Sequence, residues 1–267
     1  MLDKQQILQT LGFDSFTSMQ EEIATAGSSR GGIVLLSPTG SGKTLGYLLP
    51  AVDRIDVGLD TLQVVVVTPT RELAQQSEEV LKSMKIGIRS LALYGGRPAM
   101  EEHRKIKEVE PQIVFATPGR LNDHLNKENL NARGVSVLII DEFDKCLELG
   151  FQDEMHDLLN HFSNLYGCWL MSATDAEELQ QFMNRLFKTY HKIDYLAIAE
   201  SQTESRLQVR WVRSEKKDKL ESLARLLTLI KGEPTIVFVS YRESVERVGK
   251  WLREQGFTVE MYHGGME

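Results

Sequence analysis

The sequence predicts an α/β fold, a doubly wound parallel sheet followed by the beginning of a second, incomplete α/β domain. Three observations predict it. Short apolar, β-branched runs alternate with longer amphipathic stretches, the pattern of a parallel sheet covered on both faces. A glycine-bearing turn joins the first of these runs to a helical pattern, and a later run ends abruptly in carboxylates.

The predicted strands occupy residues 33–36, 62–68, 90–93, 113–116, 135–140 and 168–171, with one more at 193–199. Together they define a first domain over residues 1–199. Residues 200–206 are polar, lack apolar periodicity and read as a linker. Residues 207–267 begin a second series: strand 207–212, helix 217–230, strand 235–239, helix 243–254 and strand 257–262. About sixty residues are less than half of a typical domain of about 150, so this second domain is expected to be partial.

Composition excludes several classes. The 267 residues are 42% apolar, enough for a buried core. No run approaches the roughly 18 apolar residues of a membrane span, and the polar start at Asp3, Lys4, Gln5 and Gln6 lacks the apolar stretch of a secretory signal. A cytoplasmic monomer is expected. Cys146 and Cys168 have no partners at metal spacing and are too few for a disulfide framework. The net charge of −7 argues against a broad nucleic-acid surface. It is unevenly spread: residues 1–205 carry a net −10 and residues 206–267 a net +3. Any phosphate contact in the first domain must therefore be local, made by a few Arg, backbone amides and helix N-termini.

The turn after the first strand reads Ser37, Pro38, Thr39, Gly40, Ser41, Gly42, Lys43, Thr44, and Leu45, Leu48 and Leu49 then mark a helix. Strand, glycine loop and helix in that order form a phosphate-binding P-loop. Gly40 and Gly42 let backbone amides turn inward, with Thr39 and Ser41 between and before them, and the helix dipole adds to the field. Lys43 would meet the β and γ phosphates of a nucleotide, and Thr44 would place its hydroxyl on Mg²⁺. Ser37 stands where the general pattern has its first glycine. The later run ends in Asp141, Glu142, Phe143, Asp144. Carboxylates at the carboxyl edge of a parallel sheet lie where α/β proteins bind ligands. There Asp141 would hold Mg²⁺ and Glu142 would orient and deprotonate an attacking water. An N-capping Asp on a solvated helix is the alternative reading of such a quartet taken alone.

With both sites placed, nearly the whole chain resembles the DEAD-box family of superfamily 2 RNA helicases, whose domains are RecA-like P-loop NTPase folds. Pro69, Thr70, Arg71, Glu72, Leu73 resemble motif Ia, Gly95 and Gly96 the double glycine, and Thr117, Pro118, Gly119, Arg120 motif Ib. The resemblance implies that these segments grip the sugar-phosphate backbone of one RNA strand with little sequence preference. Amides at glycines and helix starts, with the guanidinium groups of Arg71 and Arg120, can hold phosphates without reading bases. Ser172, Ala173, Thr174 resemble motif III, whose hydroxyls would bond Asp144 and couple ATP state to domain closure.

The N-terminal segment resembles the motif that identifies adenine. Phe13 matches the stacking ring, and Thr17 and Gln20 match the polar pair at the base edge. Phe16 stands where the family usually has Pro, Met19 where it has Ile, and Asp3, seventeen residues before Gln20, where many members carry an aromatic. Phe143 replaces the Ala of the family's namesake motif. In the second domain, residues 235–240 resemble motif IV, and His263, Gly264, Gly265 resemble the segment after the third strand. The family's arginine fingers would lie beyond Glu267, so the chain by itself is expected to bind ATP and Mg²⁺ and to hydrolyse slowly. The resemblance implies an ATP-dependent RNA helicase as the parent protein. A non-catalytic nucleotide-dependent clamp for RNA or protein and a DNA-directed superfamily 2 motor remain the alternatives.

Overall fold

The computed structural model describes residues 3–96, 98–163, 165–197, 209–214, 217–230 and 232–265. The chain divides into two compact units, Met1–Arg206 and Leu207–Glu267.

The described residues of the first unit form seven strands: β1 (Gly31–Leu36), β2 (Val64–Val67), β3 (Ser90–Leu93), β4 (Ile113–Ala116), β5 (Val137–Ile140), β6 (Gly167–Ser172) and β7 (Tyr190–Asp194). Their order across the sheet is β3-β4-β2-β5-β6-β1-β7, and every recorded pairing is parallel. Six strands were legible as apolar runs because they are buried on both faces, edge strand β3 included apart from half-buried Leu91. The seventh lies earlier than the expected 193–199. β7 is an edge strand in which His191 and Lys192 are exposed and Ile193 is buried, so no apolar run marks it.

Period-two alternation along each strand splits the core in two. Ile33, Leu35, Val64, Val66, Ile113, Phe115, Val137, Ile139, Trp169 and Met171 face one layer. That layer holds α1 (Lys4–Leu11), α2 (Ser18–Ala26), α3 (Lys43–Val52) and α4 (Arg71–Ser83). Val34, Leu36, Val65, Val67, Val114, Leu138, Ile140 and Leu170 face the other. That side is covered by α5 (Ala99–Val109), α6 (Pro118–Asn126), α7 (Phe143–Glu148), α8 (Gln152–His161) and α9 (Glu177–Leu186). The first helix was not anticipated, and its start explains Asp3: Asp3 Oδ1 accepts from the amides of Gln5 at 3.0 Å and Gln6 at 3.1 Å, capping α1. Gly12, in the left-handed region at φ +73°, ends it.

In the second unit the structure contains α10 (Leu220–Leu229) and α11 (Arg242–Glu254). The linker 200–206 and residues 207 and 208 of the expected strand 207–212 lie outside the described residues. Among the described residues of this unit no strand forms, at 235–239 and 257–262 included. A strand exists only where a ladder partner accepts its backbone hydrogen bonds. Ile236 and Phe238 are instead exposed, Phe238 by 90%. The 257–262 stretch is held against its own helix: Arg253 donates through Nε and Nη2 to the carbonyl of Val259 at 3.0 and 2.7 Å.

Leu35 is wholly buried at the centre of the first layer. Leu35→Ala is expected to cost about 2 to 5 kcal/mol, read as a lower urea midpoint by tryptophan fluorescence.

Candidate functional site

Because all seven strands run the same way, every strand's carboxyl end reaches one edge. The strand order divides that edge into two neighbouring halves. β5, β6 and β1 bring the 141–144, 172–174 and 37–42 segments together, and β3, β4 and β2 bring together the segments that begin at Tyr94, Thr117 and Thr68.

In the first half, the amide of Ser37 donates to the Ser172 carbonyl at 2.9 Å, which ties the start of the loop to the end of β6. Gly40 and Gly42 sit at φ +75° and +87°, where L side chains are strained. A Cβ at Gly42 would also meet Gln20 Nε2 at 2.8 Å. Thr39 and Gly40 are exposed at the apex, while Ser37 Oγ donates to Ser41 Oγ at 2.7 Å and steadies the arm beneath. Lys43 opens α3 and folds back, its Nζ donating to the carbonyls of Ser37 at 2.8 Å and Pro38 at 2.9 Å. Burial lowers the pKa of this ammonium, against the opposing pull of Asp141, Glu142 and Asp144. Thr44, the next residue, is half-buried.

The acidic segment is pinned on both sides of Glu142. The Asp141 amide donates to the Val67 carbonyl at 2.8 Å, and its side chain is only 6% exposed. Burial pushes the Asp141 carboxyl up to about 6, although Lys43 and the Tyr47 hydroxyl work the other way. The Tyr47 hydroxyl lies 3.1 Å from Asp141 Oδ2 and 3.3 Å from Ser77 Oγ. Its single proton goes to the carboxylate, the stronger acceptor. Asp144 is buried, and its Oδ2 accepts from the Ala173 amide and the Thr174 hydroxyl, both at 3.3 Å. This corrects one expectation. Only Thr174 offers Asp144 its hydroxyl, because Ser172 Oγ donates at 2.7 Å to the carbonyl of Thr174 and shapes the turn instead. The Phe143 ring packs into the second core layer, edge-on to Phe182 with centroids 5.4 Å apart.

The N-terminal segment reaches this half from α2. Thr17 and Gln20 form a reciprocal capping box, the Gln20 amide donating to Thr17 Oγ1 at 3.3 Å and the Thr17 amide to Gln20 Oε1 at 2.9 Å. Gln20 Nε2 then donates to the Gly42 carbonyl at 3.2 Å, so this glutamine is oriented from both ends. Phe16 and Met19 pack on the first core layer, which accounts for apolar residues at both departures. Phe13 stays exposed, just past α1.

In the second half, Thr70 caps α4 by accepting from the Leu73 amide at 3.2 Å, beside buried Pro69. Arg71 is exposed and pairs with Glu72 at 2.5 Å. Arg71, Glu72, Gln75, Tyr94, Gly95 and Gly96 line an open depression of about 350 Å³. Gly96 has φ +93°. Thr117 precedes α6, with Pro118 in its first turn and Gly119 exposed. Arg120 is less accessible than expected of a phosphate ligand: its Nε donates to the buried Glu102 at 2.6 Å.

Tyr47, Ser77 and Glu102 are the residues sequence reasoning missed. Tyr47 lies four residues after Lys43, on the same face of α3, and that spacing could have found it. Glu102 carried no such signal, since it meets Arg120 only through the fold.

A glycine loop between strand and helix, with buried carboxylates on an adjacent strand end of a RecA-like parallel sheet, defines the P-loop fold class. The DEAD/DEAH box helicase family model matches residues 17–182, and the chain belongs to that family. It is 32% identical over 259 residues to the ATP-dependent RNA helicase CshA of Listeria monocytogenes, a match covering 96% of this chain and 49% of that protein. It is 29% identical to the Bacillus subtilis DEAD-box ATP-dependent RNA helicase CshA, over 99% of this chain and 53% of that one. The chain thus spans about half the length of the curated relatives it matches. Among solved structures, a DEAD box protein from Methanococcus jannaschii superposes with a TM-score of 0.66 at 26% identity, covering 98% of this chain and 70% of that one. The DEAD-box helicase Mss116 bound to ssRNA and UDP-BeF gives 0.63 at 26% identity, covering 72% and 43%.

Two outcomes are expected of the metal-free protein. Asp141, raised from 3.8 to about 6 on folding, leaves the folded state holding more protons than the unfolded state in that window. Stability therefore falls as pH rises from about 4 to about 6, by on the order of 3 kcal/mol from this group. Asp141→Asn is expected to remove that slope in paired urea titrations. Phe143→Ala is expected to lose about 3 to 5 kcal/mol of stability with little change in nucleotide affinity, checked by thermal unfolding beside a fluorescent-nucleotide titration.

Proposed function

We propose that this chain is the nucleotide-binding and RNA-gripping part of an ATP-dependent RNA helicase. The observation that carries the reading is the convergence of the Ser37–Thr44 loop, Asp141 and the Asp144–Thr174 bond on adjacent strand ends. Their pairing of a buried ammonium with buried carboxylates suits a magnesium-bound polyphosphate. The relatives' names, and the single-stranded RNA on Mss116, support RNA as the second ligand.

Lys43 holds the β and γ phosphates, exchanging its two loop carbonyls for phosphate oxygens. The amides of residues 39–44 and the start of α3 complete the cradle. Phe13 stacks on adenine, and Thr17 and Gln20 meet the base edge. The residues present suit Mg²⁺: Thr44 and Asp141 offer hard oxygen donors, and burial makes Asp141's charge costly until a cation balances it. When bound, the ion neutralises phosphate charge. Glu142, half-buried between the two fixed aspartates, orients and deprotonates the attacking water. Asp144, through Thr174 and Ala173, relays the state of this site to the end of β6.

Gly95, Gly96, the amides after Thr70 and Thr117, and the Arg71 and Arg120 side chains hold the backbone of one RNA strand. Strand separation then follows from clamping that strand against a second RecA-like domain. No helix among the described residues is long and apolar enough to cross a membrane. Two buried free cysteines suit a reducing compartment, and the cytoplasm is the proposed location.

Lys43→Ala is expected to abolish binding of a fluorescent ATP analogue in the presence of Mg²⁺. In RNA-dependent turnover assays of a full-length version carrying the complete second domain, Glu142→Gln is expected to lower the rate about 10²-fold or more while nucleotide affinity is kept. Turnover unchanged in Glu142→Gln would overturn the hydrolytic role and leave a nucleotide-dependent clamp. Stimulation by DNA as strong as by RNA would overturn the choice of nucleic acid.

A further inference from the structure

Behind the two glycine-bearing loops proposed to face RNA lies a buried polar cluster. Glu102, in the first turn of α5, has a side chain only 2% exposed. Its Oε2 accepts from Arg120 Nε at 2.6 Å and from His124 Nε2 at 2.9 Å. Its Oε1 accepts, more weakly, from the Tyr94 amide at 3.4 Å. The His124 side chain is wholly buried, and its Nδ1 lies 3.1 Å from Asn129 Nδ2. An amide nitrogen can only donate, so Nδ1 accepts and the ring proton sits on Nε2, directed at Glu102.

We infer that Glu102 is a positioning residue for RNA binding: oriented by His124 and Asn129, it sets the guanidinium of Arg120 and the Gly95–Gly96 loop in one rigid arrangement. The inference rests on the RNA reading above. The bonds account for it. Tyr94 is the residue before Gly95, so the carboxylate anchors that loop at its base. Arg120 closes the neighbouring Thr117–Arg120 turn, and with Nε held its guanidinium plane is fixed, further steadied by Asp123 Oδ2 at 3.6 Å from Nη1. A buried carboxylate with three donors is costly to disturb and rigid when intact. Burial alone would push the Glu102 carboxyl up, yet the His124 and Arg120 hydrogen bonds hold it below the ordinary value, so it stays ionised.

The electrostatic alternative predicts the opposite sign. If Glu102 were only a negative charge behind an anion-binding surface, removing it would tighten RNA binding. If it positions Arg120 and the glycine loop, removing it weakens RNA binding even though the surface becomes more positive.

The test measures a fluorescein-labelled oligouridylate by anisotropy over a salt series, and a fluorescent ATP analogue with Mg²⁺, on the 267-residue chain and its Glu102→Leu variant. The expected result is an RNA dissociation constant raised about tenfold and nucleotide affinity unchanged. The slope of log affinity against log salt should also fall by about 0.7, one phosphate contact on a single strand. In an Arg120→Gln background, Glu102→Leu should leave that slope where Arg120→Gln put it. RNA binding as tight as or tighter than the parent's would overturn the inference, as would equal losses of RNA and nucleotide affinity with a lowered melting temperature. If Glu102→Leu does not fold, two variants of its orienting residue decide. His124→Gln keeps a donor toward Glu102 and should retain RNA affinity, whereas His124→Leu removes it and should weaken RNA binding several-fold. Equal RNA affinity in those two overturns the inference. A parent chain that binds nucleotide but no RNA at any salt removes the RNA reading itself, and this inference with it.

Discussion

Everything functional in the first unit depends on one constraint: its seven strands all run in the same direction. Parallel strands need crossover helices, and each crossover leaves the sheet from the same edge. That edge therefore collects a loop and a helix start after each of β1 to β6, with amides at each helix start left for other partners. The strand order then sorts them. The ends of β5, β6 and β1 form one stretch of edge, and those of β3, β4 and β2 form the adjoining stretch. The two proposed sites, for a polyphosphate and for a nucleic-acid backbone, can so lie side by side without any residue serving both.

The chain's negative charge is compatible with this because both stretches rely on local groups. Three carboxylates, Asp141, Glu142 and Asp144, stand around one ammonium, Lys43. Burial acts on both signs, lowering the pKa of the ammonium and raising the Asp141 carboxyl to about 6. The residues are thus mutually dependent: Lys43 makes an ionised Asp141 less costly, and the carboxylates help keep Lys43 protonated. In the second stretch the same economy appears as Arg120 bound to Glu102 and Arg71 bound to Glu72, one pair buried and one exposed. The exposed pair is worth little by itself. The buried one restricts where a guanidinium can point.

How much of this was legible in the sequence follows from what each signal depends on. The five inner strands, the well-buried edge strand β3 and the glycine loop are local: a strand buried on both faces must be apolar, and a phosphate loop must turn at glycine. Phe143, Asp141 and Asp144 could be placed on a strand end for the same reason. Edge strand β7 was misplaced because only one of its faces is buried. The contacts that orient the site were not legible from local spacing. Tyr47 and Asp141 are 94 residues apart, and Asp144 and Thr174 are 30 apart; no spacing rule reaches across such gaps without a family pattern. Ser172 shows the limit of that pattern, since its hydroxyl turns to its own segment. The extended stretches of the second unit looked like strands for a sound local reason, and a strand also requires a neighbour, which local sequence does not report.

The position of Glu142 shows how these parts combine. Its backbone lies at φ +49°, ψ +53°, in the left-handed region that costs a non-glycine residue roughly 1 to 2 kcal/mol. Such a conformation persists only when its surroundings over-determine it, and here they do. On one side, Asp141 is held by the Val67 carbonyl and by Tyr47. On the other, the Phe143 ring is sunk beside Phe182 and Asp144 is tied to Ala173 and Thr174. With both flanks fixed, the turn falls at Glu142, which is half-buried. The large ring at position 143 thereby contributes to the site from the core: by anchoring the start of α7 there, it helps hold Glu142 in a geometry that local sequence alone would disfavour.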